Sequence, residues 1–261
     1  MNDWLHNLPL AWMALTVFGA TYLITAAICI IVAALADPRR GRAFKAISPG
    51  MLPPLGILFA LFVAFTAAQV WADTDRANTA VIREASALRT VVILSAVFPG
   101  EPEAQLRRLV RRHIEDTTTQ EWPMMSRHTA SLSAVPQQLA EAIRVSLALT
   151  PSSPGQEIAQ RGIDKALEDA LDARRQRVTV SLTQVNLAKW SCLIVQAVCM
   201  LVAIAMVHSD NWGALAISSV LFASGVAVSI FLILAHDRPF AGEISVSPEP
   251  LLQVMPESPA R

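Results

Sequence analysis

The chain has 261 residues, of which 53% are hydrophobic and only 16% are charged. Soluble domains carry about 25% charged residues, so this composition is typical of a membrane protein. The formal net charge is zero, which argues against nucleic acid as a partner. The three cysteines, Cys29, Cys192 and Cys199, lie within apolar stretches. We therefore predict no disulfide framework, no zinc site and no cofactor.

Four stretches are long and apolar enough to cross a bilayer as helices, for which about 20 apolar residues suffice. They are Ala11–Leu35, Met51–Ala72, Ser191–Val207 and Trp212–Ala235. The third is short but can extend backward past Lys189, whose long side chain can reach the interface. No basic segment precedes the first stretch, which is also too long for a signal-peptide core, so we expect it to be retained. Five tryptophans lie near the predicted span ends, as an aromatic belt at the membrane interfaces would: Trp4, Trp12, Trp71, Trp190 and Trp212.

The spans are paired as two hairpins around a polar region with helical periodicity. In "EAQLRRLVRRHI", Leu106, Val110 and Ile114 share one face of a predicted helix, and arginines occupy the other. We predict an all-α integral membrane protein with four transmembrane helices as two hairpins and an inserted helical domain. The predicted domains are a first hairpin (1–72), the extramembrane domain (73–189), a second hairpin (190–236) and a tail that docks and then becomes disordered (237–261).

The second span lacks any helix-breaking residue at its polar end. No glycine or proline occurs between the span and Pro99, while Ala77, Val81 and Leu88 recur at helical spacing. We predict one continuous helix from about Leu55 to Val97. Such a helix can couple the membrane mechanically to the inserted domain.

The sequence leaves open on which side of the membrane the inserted domain lies. The loop 36–50 carries Arg39, Arg40, Arg42 and Lys45, which by the positive-inside rule places the loop in the cytoplasm and the domain outside. The flanks of the domain are themselves basic, which favours the opposite orientation.

A polar stripe runs along the second span. Thr66, Gln69 and Asp73 are spaced so that they share one helix face. Polar groups within lipid are costly unless they have partners or line a water-filled path. The stripe therefore either lines a pore, or consists of an interhelical hydrogen bond followed by an ordinary charged helix end.

Four segments carry a resemblance to a known family. "PPLGILFALFVAFTAAQVWAD", "REASAL", "EWPMM" and "HDRPFAGEISVSP" occur in this order, and the chain resembles the bacterial bestrophin-like family over roughly residues 10–252. The resemblance implies a helical, oligomeric channel of the bacterial inner membrane whose long second helix lines a central pore.

The same segments single out five residues. Glu84 either forms a structural ion pair with an arginine of a neighbouring helix or is an exposed carboxylate. Trp122 either anchors a helix end on the core of the inserted domain or forms part of a ligand platform. Asp237 and Arg238 end the fourth span, after which Phe240 can turn back, so the tail is either docked or free.

The fourth span contains a row of small residues, Ser219, Ala223 and Ala227, four positions apart. Such rows allow helices to approach closely. The partner is either the first span of the same chain or a second subunit, and we expect the row to form part of a self-association surface.

The preferred function is an oligomeric, pore-like ion channel that contacts membrane lipids. The alternative is a non-transporting scaffold or sensor whose inserted helical domain binds a partner. We expect no enzyme, because no residue pair suited to acid–base catalysis, no phosphate-binding loop and no Ser-His-Asp motif occurs. The five histidines lack the spacing of metal ligands.

Overall fold

The computed structural model describes residues 8–36, 49–133 and 135–257, which are helical and contain no strand. The α-helices are α1 (Leu10–Leu35), α2 (Leu52–Ser95), α3 (Glu101–Asp116), α4 (Trp122–Ser126), α5 (Gln137–Leu147), α6 (Pro154–Ser181), α7 (Leu187–Val207), α8 (Trp212–His236) and α9 (Glu249–Gln253). A 3₁₀ turn, Pro49–Met51, precedes α2, and a π-helical turn, Thr117–Glu121, joins α3 to α4. The predicted all-α class is confirmed.

Four of the described helices, α1, α2, α7 and α8, are long and apolar enough to cross a membrane, and the chain is a multi-pass membrane protein. Helix α7 begins before the predicted span, because the Asn186 side chain caps it by accepting a hydrogen bond from Lys189 N at 2.9 Å. The basic loop used for the orientation, Trp4 and the last four residues lie outside the described residues.

Helix α2 is uninterrupted from Leu52 to Ser95, which confirms that the second span continues as a long helix. It ends slightly before the expected Val97. The N–H groups of Val97 and Phe98 bond to the carbonyls of Leu94 and Ser95, so the last turn tightens before Pro99. Proline disfavours the helical conformation for the residue that precedes it, which accounts for the early end.

The chain divides into two compact units. The membrane unit comprises Met1–Trp71 and Gln184–Asp237, and the extramembrane unit comprises Ala72–Thr183 and Arg238–Arg261. Each unit has its own hydrophobic core. The core of the membrane unit includes Met13, Val17, Phe59, Val70, Trp190, Leu193, Ala197, Val226 and Ile233. The core of the extramembrane unit includes Val81, Leu88, Leu106, Val110, Ile114, Leu139, Ile163 and Leu167.

The C-terminal segment packs into the extramembrane unit. Phe240, Val246 and Leu251 are buried within its core. The bond from Val246 N to the Pro239 carbonyl, at 2.8 Å, closes the turn that brings the segment back. Gly242 lies in this turn with φ of 81°, a conformation that glycine adopts without steric cost.

The row of small residues on α8 is covered within a single chain. Ala223 and Ala227 are completely buried and Ser219 is 1% exposed, while α8 packs against both α1 and α7. This burial favours the alternative in which the row packs against helices of the same chain. The physical reason is that helices of the same chain already occupy the space that the small side chains leave.

Candidate functional site

A buried ion cluster lies in the extramembrane unit. It is formed by Glu84 of α2, His113 of α3, Glu121 of the π-helical turn, and Arg174 and Arg177 of α6. Arg177 donates from Nε to Glu84 Oε2 at 2.7 Å and from Nη2 to Glu84 Oε1 at 3.1 Å. The same Nη2 donates to Glu121 Oε2 at 2.7 Å, and Arg174 Nη2 donates to Glu121 Oε1 at 2.5 Å. His113 Nε2 lies 2.9 Å from Glu84 Oε1.

Arg177 is the centre of this cluster and is completely buried, as is Glu84. Its Nη1 lies 3.3 Å from Met125 Sδ, and its guanidinium carbon lies 5.5 Å from the centre of the Trp122 ring. The Trp122 ring in turn meets Phe240 edge to face, with 5.3 Å between ring centroids. The predicted site residues Glu84, Trp122 and Phe240 are thus brought together by a single arginine and its neighbours.

Helical periodicity places these side chains inward. On α2, Glu84 continues the buried series of Ala77, Val81, Leu88 and Val91. These positions are three or four residues apart and therefore share one helix face. A charged carboxylate on this buried face is costly unless it is paired, so its partner has to come from within the unit.

The π-helical turn keeps one face of the next segment directed at the cluster. His113, Thr117, Glu121 and Met125 are four residues apart, and each is buried or half-buried. In a regular α-helix, each step of four residues turns the side-chain direction about 40° past a full turn. Side chains in this series would therefore leave the face that points to the cluster. The Trp122 N–H donates to the Thr117 carbonyl five residues earlier, which is the hydrogen bond of a π turn. This wider turn offsets the added rotation and keeps the series on one face.

The electrostatics of the cluster favour a structural role. Burial by itself would lower the pKa of Arg177, but the charges of Glu84 and Glu121, and the hydrogen bonds that both accept, raise it above its usual value. The two carboxylates balance the two guanidinium groups. No group of metal-ligating residues is present among the described residues. We interpret the cluster as the contact that fixes α2, the π-helical turn and α6 to one another.

Sequence reasoning identified Glu84 but missed its partners. Arg174 and Arg177 belong to the basic flank of the inserted domain, and they also continue the buried series of Ile163, Leu167 and Ala170 along α6. An arginine at an inward-facing position of an amphipathic helix was the available signal, because arginine is almost never buried unless it is paired.

Asp237 and Arg238 follow α8 and are both buried, with 5% and 7% of their surface exposed. Asp237 Oδ1 accepts a hydrogen bond from Val185 N at 2.6 Å, which ties the end of α8 to the segment that precedes α7. The Arg238 carbonyl accepts a bond from Ala241 N at 3.1 Å. These contacts are structural.

The polar stripe of α2 lies largely inside the chain. Thr66 is 5% exposed and its hydroxyl donates to the Phe62 carbonyl at 2.8 Å. Asp73 is 7% exposed and pairs with Arg76 at 3.3 Å. Gln69 is half-buried and its side-chain oxygen accepts a hydrogen bond from Lys189 Nζ of α7. The geometry matches the alternative of an interhelical hydrogen bond more closely than a pore-lining stripe.

We predict that Gln69→Leu leaves any ion flux unchanged and lowers the free energy of unfolding by only about 0.6 kcal/mol, the average for an interhelical hydrogen bond in a membrane protein. Lys189 is half-buried, and its flexible side chain can turn to water when its acceptor is removed. Flux from vesicles and thermal unfolding in detergent measure the two quantities. Loss of ion flux in the Gln69→Leu variant would instead show that Gln69 lines the ion path.

The adjoining face of α2 has no partner among the residues that the structure describes. Leu58, Leu61 and Phe65 are 58%, 50% and 68% exposed, and their spacing of three and four residues puts them on one stripe. Only 17% of the most apolar window of α2 is buried, against 28% for α1 and 33% for α7 and for α8. Helix α2 is therefore, of the four spans, the one least buried within the chain.

The helical fold, with four apolar spans and a second span that extends into a separate helical unit, defines a class of multi-pass membrane protein. The sequence profile of the Bestrophin-like domain family matches residues 19–251, and the chain belongs to this family. No curated protein sequence matches it.

Solved structures of the same fold are similar over nearly the whole chain. Two are variants of a bacterial bestrophin homologue from Klebsiella pneumoniae. One has a TM-score of 0.73 and 14% identity, covering 91% of this chain and 97% of that chain. The other has a TM-score of 0.71 and 15% identity, covering 93% and 98%. A crystal structure of a membrane protein variant has a TM-score of 0.72 and 15% identity, covering 92% and 99%. The predicted family is confirmed.

Proposed function

We propose that the chain forms a homo-oligomeric ion channel in which α2 of each copy faces a central path. The exposed apolar stripe of Leu58, Leu61 and Phe65 is the observation that carries the proposal. Polar groups of the same helix are turned into the chain, so the side left for other copies is apolar. Membership of the Bestrophin-like family supports a channel rather than an enzyme.

An apolar stripe suits a narrow constriction in such a path. Rings of apolar side chains hold back water and ions when the opening is narrow, because the confined water is poorly hydrogen-bonded. Continuation of α2 into the extramembrane unit supports control of this constriction by that unit. The ion cluster holds α2 through the hydrogen bonds of Arg177 to Glu84, and it would connect movements of that unit to α2.

We further propose the bacterial inner membrane as the location, since the spans are helical and the family resemblance is bacterial. The inserted domain lies on one side of that membrane together with the segment that follows α8. Chemical crosslinking of the purified protein, followed by mass measurement, tests whether copies associate. A purely monomeric protein contradicts a path formed between copies.

The channel proposal predicts that Phe65→Ala increases ion flux several-fold. Removing the ring widens the constriction and makes it easier to hydrate. The measurement is the release of K⁺, Na⁺ and Cl⁻ from vesicles that contain the purified protein. Leu61→Ala is expected to act in the same direction, with a smaller effect because less volume is removed.

Leu221→Ala is the matched control for this measurement. Leu221 lies on α8 and is 69% exposed, nearly the same as Phe65, yet the proposal places it away from the path. Its flux is expected to equal that of the wild type. Equal increases in all three variants would show a general loosening of the protein. No flux from the wild type under any of the ion gradients would contradict the channel and favour a scaffold or sensor.

A further inference from the structure

The exposed side of α2 continues beyond its apolar stripe, because the helix runs without interruption out of the apolar span. Asp75, Ile82 and Ile93 are exposed, the two isoleucines at 50% and 60%. An α-helix turns by about 100° per residue, so these three side chains leave the helix within about 20° of one another. They also lie within about 60° of Leu61 of the stripe. We call Leu61, Asp75, Ile82 and Ile93 together the exposed face of α2.

This exposed face keeps large apolar side chains where α2 has already joined the core of the extramembrane unit. Val81 and Leu88 of the same segment are completely buried in that core, while Ile82 and Ile93 remain open. Exposed apolar side chains of this size favour contact with another chain over contact with water. An arrangement of copies around α2 therefore accounts for this part of the helix as well as for the apolar stripe.

Asp75 is the acidic residue of the exposed face, three positions after Ala72, at which the sequence predicts the second span to end. It forms no ion pair within the part of the chain that the structure describes, whereas Asp73 is buried and pairs with Arg76 at 3.3 Å. An exposed aspartate is negatively charged at neutral pH. Asp75 follows Leu61 by about four turns, or about 21 Å, so this charge lies beyond the apolar stripe on the same side of the helix.

The arginines of α2 are placed differently. Arg76 and Arg83 are turned away from Asp75 by about 100° and 80° around the helix. Arg89 points within about 40° of Asp75 but lies about 21 Å further from the span. This is more than two Debye lengths at physiological ionic strength, where the Debye length is about 8 Å. Asp75 is therefore the charge on the exposed face that lies closest to the proposed constriction.

We propose that Asp75 makes the path selective for cations, with one carboxylate from each copy forming a ring at the end of the apolar constriction. This inference rests on the channel proposed above. Rings of aspartate or glutamate are typical of cation-selective pores. A ring of one sign raises the local concentration of the opposite ion and lowers that of ions of its own sign. The apolar side chains of the constriction carry no charge, so the sign of the permeant ion is left to the carboxylates.

The voltage of zero current across a planar bilayer that separates two KCl concentrations tests this role. The full-length wild type is expected to be several-fold more permeable to K⁺ than to Cl⁻. Asp75→Asn removes the charge at nearly constant size and is expected to lower this permeability ratio several-fold. Asp75→Lys is expected to reverse it in favour of Cl⁻. The ratio does not depend on how many channels fold and insert, so a less stable variant remains informative.

Asp172→Asn is the matched control, because it removes the same charge from an exposed position of α6. Its permeability ratio is expected to equal that of the wild type. Arg89→Gln is expected to change the ratio less than Asp75→Asn does, since Arg89 lies farther from the constriction. A larger effect of Arg89→Gln would overturn the assignment of selectivity to Asp75.

The remaining outcomes separate the role of Asp75 from the channel itself. A wild type that conducts but prefers Cl⁻, or a ratio that Asp75→Asn leaves unchanged, would overturn the role of Asp75 and leave the channel in place. Equal shifts by Asp75→Asn and Asp172→Asn would show an effect of net charge rather than of a ring. A wild type that carries no current would overturn the channel, and the role of Asp75 with it.

Discussion

Replacing Arg177 by methionine is expected to lower the free energy of unfolding by about 3–5 kcal/mol, the usual cost of breaking a buried ion pair from one side. Methionine fills much of the space that the arginine stem occupies. The Glu84 carboxylate, however, is completely buried and would lose both hydrogen bonds from the guanidinium. Glu121 would lose one of its two arginine partners. Thermal and denaturant unfolding of the detergent-purified protein measure the loss.

Arg175→Met is the matched control, because it makes the same substitution two positions away on α6. Arg175 is exposed and pairs with Asp172, at 3.0 Å along its own helix. Its substitution is expected to change stability by less than about 0.5 kcal/mol. Equal effects of the two substitutions would contradict a central role for Arg177.

The double variant Glu84→Leu with Arg177→Met separates two contributions to stability. One is the cost of leaving the Glu84 charge buried without its arginine, and the other is the net contribution of the ion pair. Since it removes both charges together, it is expected to be more stable than Arg177→Met alone. A loss equal to the sum of the two single losses would instead mean that the two side chains do not interact energetically.

Ala223→Leu is expected to destabilise the membrane unit by about 1–3 kcal/mol, the typical cost of adding bulk to a well-packed interior. Ala223 is completely buried where α8 packs against helices of the same chain, so the added carbons have to displace a neighbouring helix. The readouts are thermal unfolding in detergent and the mass of the assembly. A change in assembly with unaltered stability would show that the row faces another copy after all.

Gly225→Leu serves as the control on the same helix. It adds more volume than Ala223→Leu, but Gly225 is exposed and a Cβ placed there meets no atom within 4 Å. Its effect on unfolding is expected to be small. Any change that it causes in the mass of the assembly would identify the Gly225 face of α8 as a contact between copies.

Apolar length and the absence of helix breakers determined the four spans and the long second helix. Both are local properties: a bilayer requires a minimum number of consecutive apolar residues, and a helix continues until glycine or proline stops it. For the same reason the end of α2 was predicted within a few residues of Ser95. The family resemblance also singled out Glu84, which lies within the segment "REASAL".

Only the tertiary structure determined which side chains contact Glu84 and the other predicted site residues. Glu84 and Arg177 are 93 residues apart in sequence, and no local pattern pairs them. The π-helical turn that carries Glu121 contains three consecutive threonines, which weaken an ordinary helix but do not specify a π turn. The small row on α8 allowed more than one environment. Burial depends on which helix faces lie together, and this is settled by the packing of all the helices at once rather than by any single segment.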